Sequence, residues 1–176
     1  MTPEPDDVDK FVAQWNREWP DLDVSPMQTI GRVNRLSTVM ARHIEKLFAE
    51  FGLERGEFDV LATLKRSGAE YRLTPTQLFN ALMITSGGLT HRLKRLEKAG
   101  LIRRVPSSED RRSLLVELTA EGHDKVIAAF QQDKALEESW LEALTPKQRK
   151  QLETLLRLLA KSVPAPDQEK IPQSPP

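Results

Sequence analysis

Between Thr85 and Thr119 the chain reads TSGGLTHRLKRLEKAGLIRRVPSSEDRRSLLVELT, and this stretch limits the possible folds more than any other. It divides into a short basic helix, a strand, a charged turn and a second strand. Thr85-Ser86-Gly87-Gly88 opens the helix and Ala99-Gly100 closes it, glycine being the residue suited to a left-handed C-terminal cap. Leu101–Val105 and Leu114–Leu118 supply the strands. In the second, Leu114, Val116 and Leu118 fall on every other residue, as a half-buried strand requires. Pro106-Ser107-Ser108-Glu109-Asp110 between them is rich in turn formers. From Ser86 to Arg112 there are eight Lys/Arg against three Asp/Glu, although the whole chain is neutral. Such a local excess is the electrostatic footprint of a phosphate-binding surface.

The neighbouring segments extend the pattern. Thr74-Pro75-Thr76-Gln77 is a helix start, with Thr as the cap, Pro in the first turn and Gln closing a capping box. The helix it opens is short, because the next cap follows at once. Two short helices so close together read as a helix-turn-helix. Thr119 caps a long helix to about Leu144, and Thr145-Pro146-Lys147-Gln148 opens a final one to about Lys161. Upstream, helices are predicted over 6–19, 28–51 and Glu57–Arg66, stopped by Pro20, Gly52 and Ser67-Gly68. Phe11, Trp15 and Trp19 share one face of the first. Ile30, Val33, Leu36, Met40, Ile44, Leu47 and Phe51 form a continuous apolar stripe along the second.

The fold class expected is mainly α with a small β wing. A winged helix-turn-helix domain is joined to N- and C-terminal helices that form a dimerisation region. Residues 1–27 are an acidic N-terminal segment with an extra helix. Residues 28–161 are the main domain, with a DNA-binding lobe over about 55–118 and dimer helices over 28–51 and 119–161. Residues 162–176 are a tail, read as disordered because 163–176 holds five of the twelve prolines.

Composition removes several alternatives. Without cysteine there is no disulfide scaffold, thiolate zinc site, thiol nucleophile or cysteine redox sensor, and a reducing cytoplasm is a compatible location. The start, MTPEPDD, lacks the basic segment and apolar run of a secretion signal, and no apolar run reaches the roughly 18 residues of a membrane span. His43, His91 and His123 are scattered, outside any metal-ligand or Ser-His-Asp spacing, and no glycine loop resembles a nucleotide fingerprint. The expectation is therefore no enzyme, no metal and no cofactor. Residues 1–23 hold seven acids and two bases. That segment is either a solvated acidic end or one that packs near bases of the same fold.

On a wheel of residues 86–99, Leu89, Leu93 and Leu96 define the buried face. Gly87, His91, Lys94, Arg95 and Lys98 point away, with Ser86 and Thr90 at the sides. A major-groove reader needs such a thin apolar base and basic outer face. Arg111 and Arg112 lie where a wing reaches the minor groove or backbone. A solvated amphipathic helix beside a hairpin is the plain alternative. The combination of capped helix pair, glycine stop, strand, basic tip and strand favours double-stranded DNA as partner.

These residues resemble the MarR family of winged-helix regulators in three places. They are Leu93-x-Arg95-Leu96-Glu97-x-x-Gly100-Leu101-Ile102, Asp110-Arg111-Arg112, and Leu118-Thr119-x-x-Gly122. WNREWPDLDVSPM at 15–27, EFDVLATLKRSG at 57–68 and NALMITSGGLTHRLKRLE at 80–97 are similar to its urate-responsive, PecS/HucR-like branch. The resemblance implies a cytoplasmic repressor released from DNA by a small purine anion such as urate or xanthine, with Trp15, Asp59, Arg92 and Arg104 as the ligand set. Arg92 lies about 70° from the buried face at 100° per residue, so it flanks the core and is able to reach a neighbouring Asp. The ordinary alternative is that Asp59–Arg92 is a structural ion pair and Trp15 a core anchor. Lys94 and His91 depart from the residues usual in relatives, which bears on the operator sequence.

The stripes of 28–51 and 119–161 exceed what one small lobe can bury, so a homodimer is expected. Its interface is expected from Ile30, Val33, Phe130, Trp140, Leu141, Leu144, Leu152, Leu155, Leu156 and Leu159. The competing reading is a dimeric helical interaction protein, or a DNA-binding regulator without this ligand.

Overall fold

The computed structural model describes residues 4–82, 88–107 and 114–164. Helices α1 (Asp7–Glu18), α2 (Ser25–Glu50) and α3 (Arg55–Lys65) are followed by strand β1 (Arg72–Leu73) and helices α4 (Pro75–Ala81) and α5 (Leu89–Lys98). Strands β2 (Ile102–Pro106) and β3 (Leu114–Leu118) precede helices α6 (Ala120–Leu141) and α7 (Pro146–Ser162). Ser86, Gly87, Arg111 and Arg112, and the tail beyond Pro164, lie outside the described residues. The chain divides into two compact units, Met1–Lys46 and Leu47–Pro176.

In the first unit α1 is held to α2 by a small core and by charge. The Asp6 side chain caps α1 by accepting from the Val8 and Asp9 amides, at 2.8 and 3.1 Å. Val8, Val12 and Val24 are buried together, with Met27 packed beside them. Gly31 of α2 leaves room for Val8; a Cβ there would sit 3.3 Å from its Cγ1. Arg32 reaches Asp6 at 2.8 Å and Asp9 at 2.7 Å, and Arg35 pairs with Asp7. Three acids of the segment, Asp6, Asp7 and Asp9, are therefore paired by bases of α2, in line with the second of the two readings. The aromatic face behaves differently from its pattern. Phe11, Trp15 and Trp19 are 47, 45 and 56% exposed, because the adjoining Val8–Val12 face is the one that packs. Within this unit Trp15 anchors no core. Helix α2 starts three residues earlier than the predicted 28, at Ser25, whose amide donates to the Asp23 carboxylate at 2.9 Å.

The second unit is built on α3. Phe48 at the end of α2 stacks on Phe58, ring centroids 4.0 Å apart. Gly52 lets the chain turn between them with φ +69°. Val60, Leu61 and Leu64 of α3, Leu78 of α4, Leu96 of α5 and Val116 of β3 are fully buried. The three strands are antiparallel in the order β1-β3-β2. Ile102 pairs with Leu118, Arg104 with Val116 and Pro106 with Leu114. Strand β1, absent from the sequence reading, is two residues long and adds to the other edge of β3. Tyr71 precedes it in the left-handed region at φ 50°, and its carbonyl accepts from the Leu118 amide at 3.1 Å. Thr74, Thr119 and Thr145 all act as caps, as their positions require. Gly122 lies directly on the chain turn at Leu101, where a Cβ would be 2.0 Å from the Leu101 carbonyl oxygen.

Candidate functional site

Helix α5 carries Leu93 and Leu96 into the core and leaves Leu89 half-buried. Thr90, His91, Lys94 and Lys98 are exposed on its outer side. The helix closes at Ala99, Gly100 turns at φ +73°, and the Leu101 amide donates back to the Leu96 carbonyl at 3.0 Å. That short turn delivers the chain straight from α5 into β2.

Arg95, expected among the outward bases, has other engagements. Its Nε lies 2.9 Å from Oε1 of Glu57, and its Nη1 pairs with Glu54. Glu57 is only 2% exposed and also accepts from the Glu54 amide at 2.8 Å. A buried carboxylate with this many partners ties α5 to the N-terminus of α3. The sequence reading passed over Glu57. Its one local signal is the three-residue spacing from Glu54, which is a helix start and says nothing of Arg95.

Helices α5 and α6 both pack on α3, and Asp59 of α3 feels the charges of Arg55 and Arg92. The Arg92 guanidinium lies against Gly56, where a Cβ would meet its Cζ and Nε at 2.4 Å. Its Nη1 is buried without a hydrogen-bond partner. Burial pushes the Asp59 carboxyl above the usual aspartate range, against the pull of Arg55, Arg92 and Arg66. Asp133 of α6 stands in the same neighbourhood. Burial raises its proton affinity too, Glu137 and Asp59 add to the rise, and Arg55 opposes it. Arg104 of β2 reaches Glu97 of α5 at 3.4 Å. Trp15 belongs to the Met1–Lys46 unit. Arg55, Gly56 and Asp133 were missed by the sequence reading. Asp133 had a legible signal, as a carboxylate continuing the apolar series Gly122, Val126 and Ala129 at helical spacing.

Of the expected interface residues, Ile30, Phe130, Leu152, Leu155 and Leu156 are 43, 56, 40, 55 and 45% exposed. Val33, Trp140, Leu141, Leu144 and Leu159 are half-buried. Among the described residues no group of three or more His, Asp or Glu is placed to hold a metal ion, and no helix is long and apolar enough to cross a membrane.

Two short helices, a basic outer face and an antiparallel hairpin define a DNA-binding winged-helix transcriptional regulator. A family model described as MarR family matches residues 51–113. The regulator PecS of Dickeya dadantii (strain 3937) is 42% identical over 150 residues, 85% of this chain and 90% of that protein. The repressor YetL of Bacillus subtilis (strain 168) is 28% identical over 113 residues, 64% of this chain and 67% of that one. The crystal structure of Sco3205, a MarR family regulator from Streptomyces coelicolor in complex with DNA, matches with a TM-score of 0.69 and 25% identity, covering 85% of this chain and 95% of that one. The chain belongs to the MarR family of transcriptional regulators. These relatives are regulators and not enzymes.

Proposed function

We propose that the protein is a homodimeric repressor, released from a pseudo-palindromic operator by a small purine-like anion such as urate or xanthine. The observation that carries the ligand reading is the Arg92 guanidinium. It is held on Gly56, close enough to Asp59 to act on its charge, with a buried Nη1 that has no partner. An unsatisfied buried donor costs about 1–3 kcal/mol, and an anion that supplies an acceptor recovers it. Arg92 lies on the same helix as the DNA-facing bases, so drawing it toward a ligand acts directly on that helix. Asp59, Arg92 and Arg55 form the site in this reading. Trp15 and Arg104 remain members by resemblance.

Thr90, His91, Lys94 and Lys98 face the major groove; Ser86, Gly87, Arg111 and Arg112, outside the described residues, are assigned to the DNA contact on their sequence positions alone. Arg95 is assigned to positioning α5 through Glu57. The apolar residues left open on α2, α6 and α7 are covered by a second copy, which sets two recognition helices about one DNA turn, roughly 34 Å, apart. The test is binding to the upstream region of the protein's own gene, titrated with urate and xanthine at fixed salt. Release at micromolar to millimolar purine, abolished by Asp59→Ala, is the expected result. Tight binding that no purine disturbs refutes the ligand reading, and affinity that stays flat between low and moderate salt refutes the DNA mechanism.

A further inference from the structure

We propose that Arg66 is a positioning residue for DNA recognition: by holding the last carbonyl of α4 it sets the direction in which the chain leads on to α5. The proposal needs DNA binding alone and is independent of the ligand reading.

Helix α4 has little packing of its own to fix it. It is seven residues long, and only Leu78 of it is buried. Its start is held by the Thr74 cap and by strand β1, whose Leu73 pairs with Val116 of β3. Its end is held by buried Leu82 and by a bond from another helix. Nη2 of Arg66 donates to the Ala81 carbonyl at 3.1 Å. Ala81 is the last residue of α4, and the last carbonyls of a helix have no partner within it. The Leu82 amide already serves the Leu78 and Phe79 carbonyls, at 3.1 and 3.2 Å. A guanidinium on Ala81 supplies the missing donor and suits the negative end of the helix.

The arm that reaches Ala81 starts from a fixed point. Arg66 closes α3, its own amide donating to the Ala62 carbonyl at 3.1 Å. The next residue, Ser67, donates its hydroxyl to the Leu64 carbonyl at 2.7 Å.

The consequence falls on α5. Buried Leu93 and Leu96 and the Arg95–Glu57 pair hold its middle and later part. Its first turn contributes only half-buried Leu89. In a helix-turn-helix the first residues of the recognition helix meet the base edges. The part of α5 that reads bases is thus the part held least by its own packing, and it takes its direction from the end of α4. Arg66 ties α4 to the end of α3, and Arg95 ties α5 to its start.

The ordinary role of an exposed arginine beside such helices is a phosphate contact, and salt separates the two. A lost phosphate contact lowers the salt slope by about one, whereas a lost tie leaves the slope unchanged.

The test uses the full-length protein and a duplex that the wild type enriches from a random pool, with a scrambled duplex of equal length as the non-specific control. The bond joins exposed groups, so Arg66→Ala should fold, with Tm within about 4 °C of wild type. Its binding to the selected duplex is expected to weaken about three- to tenfold, the bias in the competent population that one hydrogen bond supplies. Affinity for the scrambled duplex and the salt slope should stay at wild-type values. Arg66→Lys, which keeps the charge and a donor, should recover part of the loss. Wild-type affinity of Arg66→Ala for the selected duplex overturns the proposal. So does an equal loss on both duplexes with a slope reduced by about one, which assigns Arg66 to a phosphate. If the wild type enriches no duplex, the proposal falls together with DNA binding itself.

Discussion

Replacing Gly56 by alanine tests the Arg92 cradle without dismantling the fold. A Cβ at Gly56 would lie 2.4 Å from Cζ and Nε of Arg92 and 2.7 Å from Nη2. Relaxed carbon contacts are about 3.5–4.0 Å, so the guanidinium must withdraw by about 1 Å or more. What it meets is the far end of a flexible side chain, and Nη1 has no hydrogen bond to lose. The steric cost is therefore small, about 1 kcal/mol or less, and is opposed by a helix-propensity gain of up to about 1 kcal/mol for Gly→Ala. Net stability should stay within about 1 kcal/mol, a shift in Tm of about 2–4 °C at most for a chain of this size. Ligand binding should fall at least tenfold, because the guanidinium no longer rests where an anion meets it. Thermal unfolding with calorimetric titration of xanthine reads both quantities. Wild-type xanthine affinity in Gly56→Ala refutes the cradle; a loss of stability beyond about 3 kcal/mol refutes the claim that Arg92 yields cheaply.

Gly122→Ala should behave in the opposite way. Its Cβ would meet backbone, 2.0 Å from the Leu101 oxygen, so nothing nearby gives way. A loss of about 3 kcal/mol or more is expected in denaturant melts, exceeding any helix-propensity gain. Glu57→Gln should cost roughly 1–2 kcal/mol, since half-exposed Arg95 is partly rescued by water. It should also weaken operator binding with an unchanged salt slope, because no phosphate contact is removed; a slope reduced by about one would assign Arg95 to a phosphate instead. The pH dependence follows from Asp59 and Asp133, both raised by burial. A carboxyl with a raised folded pKa costs no stability below its unfolded pKa and costs progressively more as pH rises through the folded value. Asp133→Asn should thus be more stable than wild type at pH 7, with the gain shrinking toward pH 4 in urea melts. A gain that grows on acidification would reverse the assigned sign.

Much of the architecture was legible because it is written in local interactions. The Thr-Pro-x-Gln starts at Thr74 and Thr145, the cap at Thr119, and the stops at Gly52 and Gly100 act on amides and carbonyls within one turn of themselves. Their meaning does not depend on distant neighbours. The alternation in β3 holds for Val116 and Leu118, which are buried, and fails at Leu114, which is 45% exposed at the start of the strand. Strand β1 escaped notice because two residues carry no periodicity and are strand only through their pairing with β3.

By itself, then, the sequence determined the order of helices, the hairpin and the basic outer face of α5, since caps, turns and apolar spacing are properties of a short stretch of chain. Only the tertiary structure decided which charges meet. It turned Arg95 back onto buried Glu57 and laid Arg92 on Gly56. It also buried Val8 and Val12 while leaving Phe11, Trp15 and Trp19 more exposed. Electrostatic energy and packing depend on separation in space and on the water removed between groups, and neither quantity is encoded in spacing along one helix.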